Sequence, residues 1–308
     1  MSEKFYKQHK METAFIFPGQ GSQYVGMGED LWEKSHEVRD IFAVASDICG
    51  LDMEKLCFEG PIETLSETIN LQPALAAVEI SMLTWLRRKG IRPDALAGHS
   101  LGEFPALYAA DVLSLEDTFK TVKQRARLMH ETSQKYPGGM LAIVKLDIEK
   151  VKEILKNYSA ELANYNSPQQ IVISGQLEEL GEIRKRIGSI GGIGIPLNVT
   201  GAWHSSLMEE AQRAFSNFIR EIEFRPPHIP IFFNITANVE NKPKKIRALM
   251  WQQLCSPVLW CEEVKNMYNQ GIERFVEVGP KKVLCGLIQR ILPDARVYPG
   301  EEVIKELR

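Results

Sequence analysis

An α/β architecture is predicted: a hydrolase-like large domain with a mostly parallel sheet, carrying an inserted small ferredoxin-like subdomain. Three observations predict it. Short apolar runs of strand length alternate with segments of helical periodicity through most of the 308 residues. The pentapeptide Gly98-His99-Ser100-Leu101-Gly102 stands between such a run and the opening of a helix, the setting of a tight strand-to-helix turn. Near the middle of the chain, the order β-α-β-β-α-β is packed into about seventy residues, the signature of a ferredoxin-like unit.

The elements follow in order. Thr13-Ala14-Phe15-Ile16-Phe17 is a buried strand, ended by Pro18-Gly19-Gln20-Gly21. Helical patterns cover 38–48, 62–65 and 74–88. Ala95-Leu96-Ala97 is the strand before the pentapeptide, and Glu103 opens the helix after it. A helix over 115–133 is capped by Ser114, with Asp117 three residues on as an acidic capping box. Tyr136-Pro137-Gly138-Gly139 then breaks the chain. Strands at 140–144, 161–165, 170–174 and 194–199, with helices at 149–157 and 177–190, make the small unit. The division is therefore 1–134 and 199–308 for the large domain and 135–198 for the insertion. The large fold resumes with a helix over 206–222, a strand over 231–234, a helix over 245–254, a strand over 274–278 and a last helix after Gly279-Pro280.

Composition narrows the function. The chain is 44% hydrophobic and 25% charged, enough apolar residue to bury a sizeable core. Its net charge of −3 and isoelectric point of about 6.1 disfavour a nucleic-acid-binding surface. The start, from Met1 to His9, lacks a signal-peptide apolar core, and no transmembrane run is visible. Cys49, Cys57, Cys255, Cys261 and Cys285 form no C-x-x-C pair, and their odd number fits reduced packing residues of a cytoplasmic protein.

Chemistry concentrates at Ser100. A Gly-x-Ser-x-Gly elbow is so tight that its flanking positions must lack side chains, and it exposes the serine at the positive end of a helix. A serine nucleophile needs a base and an oxyanion hole. His204 stands on a loop between a strand and a helix, which suits a base facing a cleft and equally a surface or capping histidine. His99 is expected to turn away from the reacting face, and His9, His36, His130 and His228 have no comparable setting. The elbow itself places the Leu101 amide as one oxyanion donor. Gln20, between two glycines, offers a second donor or a plain turn.

Phe17-Pro18-Gly19-Gln20-Gly21-Ser22-Gln23, Gly98-His99-Ser100-Leu101-Gly102-Glu103, Gln124-Arg125 and Gly201-Ala202-Trp203-His204-Ser205 occur in the order found in one family. Asn164-Tyr165-Asn166-Ser167-Pro168 and Val278-Gly279-Pro280 add to the likeness. The chain resembles the malonyl-CoA:acyl carrier protein transacylases, acyltransferases of fatty-acid and polyketide synthesis, over almost its whole length. The resemblance implies a cofactor-independent ping-pong transfer of malonyl from malonyl-CoA to the pantetheine thiol of acyl carrier protein. It implies Ser100 as nucleophile, His204 as base and then acid, and the Gln20 and Leu101 amides as the oxyanion hole. It also implies that a main-chain carbonyl near Gln253 orients His204, which agrees with the lack of an obvious acidic third member. Arg125 is implied as the grip on the malonyl carboxylate, a task a planar guanidinium performs with two parallel hydrogen bonds. Local sequence alone does not separate it from Arg127 or from a solvated helix face. A monomer is the family expectation, and the alternatives are an editing acyl-thioester hydrolase or a discrete, trans-acting polyketide acyltransferase with a different acyl preference.

Three departures stand out. Trp203 replaces a usual phenylalanine, which narrows the pocket against branched acyl groups. Phe104-Pro105 replaces Tyr-Ser, and Lys281 replaces glycine. Because carrier proteins are acidic, Arg184-Lys185-Arg186, Lys242-Pro243-Lys244-Lys245 and Lys281-Lys282 are the candidate docking clusters.

Overall fold

The structure, a computed structural model, describes residues 12–306. The readings of Met1 to His9 lie outside the described residues. The chain begins with β1, Thr13–Phe17, whose apolar run is buried on both faces. Helices α1 (Glu29–Lys34), α2 (His36–Cys49), α3 (Met53–Phe58), α4 (Ile62–Ser66) and α5 (Thr68–Arg88) follow. Then come β2 (Ala95–Gly98), a 3₁₀ turn at Ser100–Gly102, α6 (Glu103–Ala109) and α7 (Leu115–Lys135). The small unit holds β3 (Gly139–Val144), α8 (Ile148–Leu155), β4 (Glu161–Ser167), β5 (Gln170–Gly175), α9 (Leu177–Ser189) and β6 (Ile193–Pro196). The chain returns through α10 (Glu209–Phe218), β7 (Phe232–Phe233), β8 (Asn238–Val239), α11 (Pro243–Gln252) and α12 (Trp260–Asn269). It ends with β9 (Arg274–Glu277), α13 (Val283–Ile291), β10 (Arg296–Pro299) and α14 (Gly300–Glu306).

The large sheet is parallel in the order β10-β9-β1-β2. Parallel strands covered by helices on both faces read as unbroken apolar runs, which is why β1 and the Ala95-Leu96-Ala97 stretch were legible. Their register sets Phe17 opposite Gly98, so the loops leaving both strands emerge side by side. A second, antiparallel sheet runs β4-β5-β3-β6, the 4-1-3-2 order of a ferredoxin-like unit. Paired main-chain bonds between Tyr165 and Val258 and between Val258 and Ala163 fasten its β4 edge to the segment before α12.

Several expectations are corrected. Helix α5 starts six residues before Ala74, because Pro73 is accommodated inside it, one turn past its start. The strand expected over 231–234 divides: Ile231 bridges Leu96 in parallel, while β7 turns back antiparallel onto β8. The strand expected over 194–199 ends at Pro196, as an edge strand can. The helix over 206–222 is α10 flanked by two 3₁₀ turns. Helices α1, α3, α12 and α14 and strands β8 and β10 have no counterpart among the expected elements. Pro105 is the third residue of α6, inside the first turn, so it breaks no helical hydrogen bond.

Candidate active site

The elbow is built from two glycines and one strained serine. A Cβ on Gly98 would lie 2.0 Å from the Gly102 carbonyl carbon, and one on Gly102 would lie 2.1 Å from the Phe17 carbonyl oxygen. Ser100 between them has φ of 52°, a left-handed conformation that costs a side-chain-bearing residue about 1 kcal/mol or more. Asn234 holds the strain in place. Its Oδ1 accepts the Ser100 amide at 2.7 Å, and its Nδ2 donates to the Gly98 carbonyl at 2.6 Å. Thus the turn is locked from the far side by the loop after β7.

Ser100 Oγ lies 2.8 Å from His204 Nε2. The Nδ1 of His204 faces two main-chain carbonyls, Gln253 at 2.7 Å and Ser256 at 3.2 Å. Carbonyls only accept, so Nδ1 carries the proton and Nε2 is left to accept from the serine hydroxyl. Burial, and then the charge of Arg125, pushes the His204 pKa down to about 3. The imidazole is therefore neutral at neutral pH, as a base must be before it acts.

Arg125, from α7, is 1% exposed. Its guanidinium donates to Gln72 Oε1 at 2.7 Å, Gln253 Oε1 at 2.7 Å and Ser100 Oγ at 3.0 Å. It also packs 5.6 Å over the Phe104 ring, while its Nε has no partner. Burial pushes its pKa down to about 10, which leaves it charged at neutral pH. Arg127, two residues on, pairs with Glu131 on the exposed face. The helix period makes this distinction, and the local sequence does not.

Ser100 and His204 border a cavity of about 210 Å³ between the carboxyl ends of β1 and β2 and the small sheet, while Arg125 and Gln253 lie behind them, outside its lining. Gln20, His99, Ser100 and His204 line it, with Met140, Asn164, Asn166 and Val172 from the small unit and Val283 and Leu284 from α13. Gln20 stands in the turn after β1 and Leu101 in the 3₁₀ turn after Ser100. A Cβ on Gly19 would fall 2.7 Å from the His99 carbonyl oxygen, so only glycine lets the two loops close in. Ser100, His204, Arg125 and Gln253 are thus joined by hydrogen bonds, with Gln20 on the same cavity wall.

His99 is corrected. It lines the cavity instead of turning away, because Asn166 of β4 takes its ring at 2.8 Å and Trp260 meets it edge-on at 5.7 Å. Trp203 also lines the cavity, and Gly201 makes room for it, since a Cβ there would fall 2.5 Å from the indole. Lys281 has φ of 64°, where glycine is at ease and lysine is not. Sequence reasoning missed Gln72 and Asn234, and it gave Asn166 no role of its own. An uncharged polar Gln72 within a buried apolar helix was the available signal for the first. Asn234 carries no such mark, because its role exists only once two distant loops meet.

Among the described residues, no cluster of three or more His, Cys, Asp or Glu side chains is placed to hold a metal, and no helix is long and apolar enough to cross a membrane. Residues 14–307 match the acyl transferase domain family. The chain is 39% identical over 292 residues to the malonyl CoA-acyl carrier protein transacylase of Staphylococcus aureus, covering 93% of this chain and 94% of that one. Among solved structures, the malonyl CoA-acyl carrier protein transacylase of Clostridium perfringens superposes with a TM-score of 0.91 at 33% identity, covering 96% and 97% of the two chains. A malonyl-transacylase solved in complex with its type II polyketide-synthase acyl-carrier protein superposes with a TM-score of 0.89 at 35% identity, covering 93% and 94%.

Proposed function

Since the chain belongs to the acyl transferase family, in the branch of the malonyl CoA-acyl carrier protein transacylases, we propose that it moves malonyl from malonyl-CoA to the pantetheine thiol of an acyl carrier protein. The observation that carries the reading is the buried cation at the nucleophile, with Arg125 donating to Ser100 Oγ at 3.0 Å. Its three hydrogen bonds all go to neutral oxygens, so the guanidinium can take a carboxylate as a charge-assisted partner, and a malonyl thioester brings one.

In the first half-reaction, His204 Nε2 takes the hydroxyl proton as Ser100 Oγ bonds to the thioester carbonyl. The carbon–sulfur bond breaks, the proton passes to the coenzyme A thiolate, and a malonyl-serine ester remains. In the second half-reaction the carrier's thiol gives its proton to His204 and attacks the ester, and the serine recovers the proton. Each half exchanges one acyl bond for another, so the sequence balances without a cofactor. The Gln253 carbonyl orients the base. The Gln20 and Leu101 amides receive the oxyanion, at roughly 2.7–4 kcal/mol per donor.

We place the inserted unit at 135–198, between 1–134 and 199–308. In support, β3 and β6 pair directly, so the chain enters and leaves the small sheet through neighbouring strands. The reacting side chains all come from one chain, which suits a monomer. The free state of Cys49, Cys57, Cys255, Cys261 and Cys285 suits a reducing cytoplasm.

Intact mass tests the reading. After incubation with malonyl-CoA, the protein is expected to gain one malonyl group on Ser100 and to lose it to added holo carrier protein. Loss to water without a carrier indicates a hydrolase, and no adduct at all overturns both enzymatic readings.

A further inference from the structure

Beneath Ser100, a chain of hydrogen bonds runs from Arg125 through the Gln253 side chain to Glu103, which is 1% exposed. The donors and acceptors along it leave little freedom. Arginine only donates, so Gln253 must turn Oε1 toward Arg125 and Nε2 toward Glu103. The other Glu103 oxygen takes the Asn234 amide at 2.8 Å. Each carboxyl oxygen faces a donor, an arrangement that favours the ionised, acceptor-only carboxylate. Gln253 is also the residue whose main-chain carbonyl holds His204 Nδ1.

We propose that Glu103 is a positioning residue which, by fixing Gln253, aligns the histidine base and the buried arginine together. The proposal rests on the transferase reading above. One residue touches both halves of the site, through its carbonyl on one side and its amide oxygen on the other, and Glu103 is what anchors that residue. A misplaced Gln253 therefore disturbs the acyl-group grip and the base in a single motion. The charged and titratable groups facing Glu103 are Arg125 from α7 and Glu263 from α12. Burial pushes the Glu103 carboxyl up to about 8, against the pull of the Asn234 amide, the Arg125 charge and the Gln253 amide. Burial, with the Glu103 charge, holds Glu263 well above the usual carboxylate range. Ionisation of Glu103 near pH 8 is thus expected to complete the site as pH rises.

The test compares Glu103→Gln, Gln253→Glu and the double variant carrying both. In Glu103→Gln the new amide meets two donors with only one acceptor, and Gln253 loses its anchor. The double variant restores the pattern: the residue-103 amide donates to the residue-253 carboxylate, which takes the Arg125 N–H. Single-turnover acylation by malonyl-CoA is followed from pH 6 to 9, with thermal unfolding as the fold control. For Glu103→Gln we expect a loss of about tenfold or more in malonyl acylation, and the rise through pH 8 should vanish. The double variant should recover most of the loss. A folded Glu103→Gln protein with unchanged rate and pH profile overturns the proposal. If that variant does not fold, the double variant is judged against Gln253→Glu, and no gain over it overturns the proposal equally. If the unaltered protein forms no malonyl-Ser100, the reading of function fails first and takes this one with it.

Discussion

On the proposed transfer, Arg125 should carry most of the selectivity of the site. Replacing it with alanine removes the charge that a malonyl carboxylate meets, while an acetyl group loses only packing. Acylation by malonyl-CoA should fall by roughly a hundredfold in Arg125→Ala, and acetyl-CoA should be affected far less. Equal losses in single-turnover rates would refute the grip. His204 supplies a second measurement at this scale. Its pKa is about 3 in the folded protein against 6.5 for an ordinary histidine, so as pH falls the unfolded chain binds the proton first. Stability linked to this group is therefore intact above about pH 6.5 and lost progressively toward pH 3. Denaturant midpoints at pH 7 and pH 4 should differ less in His204→Gln than in the unaltered protein. A buried Glu103 works in the opposite direction between its ordinary 4.5 and about 8, which is why the comparison must be made variant by variant.

Elements differed in how plainly they showed in the sequence. β1 and β2 were legible because buried parallel strands are continuous apolar runs, and α7 because Ser114 caps it and its period is regular. β10 escaped because an edge strand of four residues, none of them buried and the last a proline, is too short to show a clear apolar pattern. α12 has Trp260, Val264 and Met267 at helical spacing, but its start lacks a side-chain cap to mark where a helix begins. The same logic applies to the site. Ser100, Leu101, His204 and Gln20 sit in contiguous motifs, whereas Gln72 and Asn234 gain meaning only from contacts 53 and 134 residues away. The elbow is the element most exposed to single changes. Gly102→Ala puts a methyl group into the Phe17 carbonyl, and backbone cannot yield as a side chain can. A loss of about 3 kcal/mol or more is expected by chemical denaturation, and a near-neutral result would mean that the turn is looser than its geometry implies.

On the scale of the whole molecule, the cavity lies between two sheets and is bordered by α13, whose first residues Val283 and Leu284 line it. Of the three basic clusters, Lys281-Lys282 alone adjoins that lining. Arg184 instead caps the small sheet at the Gly194 carbonyl, and Lys245 pairs with Glu240. Reversing both charges, Lys281→Glu with Lys282→Glu, should raise the KM for an acidic carrier protein several-fold and leave acylation by malonyl-CoA unchanged. An unaltered KM would move the docking surface elsewhere. Arg125, finally, binds the protein's empty and loaded states into one thermodynamic cycle. After burial, its charge is a cause that keeps the proton off His204, and on the proposed transfer an arriving carboxylate would cancel that charge. The incoming acyl group and the catalytic proton are then cooperative ligands, each raising the affinity of the site for the other by the same factor. On the proposed transfer, a thioester without a carboxylate would leave the histidine a weaker base, so the wrong acyl group would be disfavoured before any contact with its tail is judged.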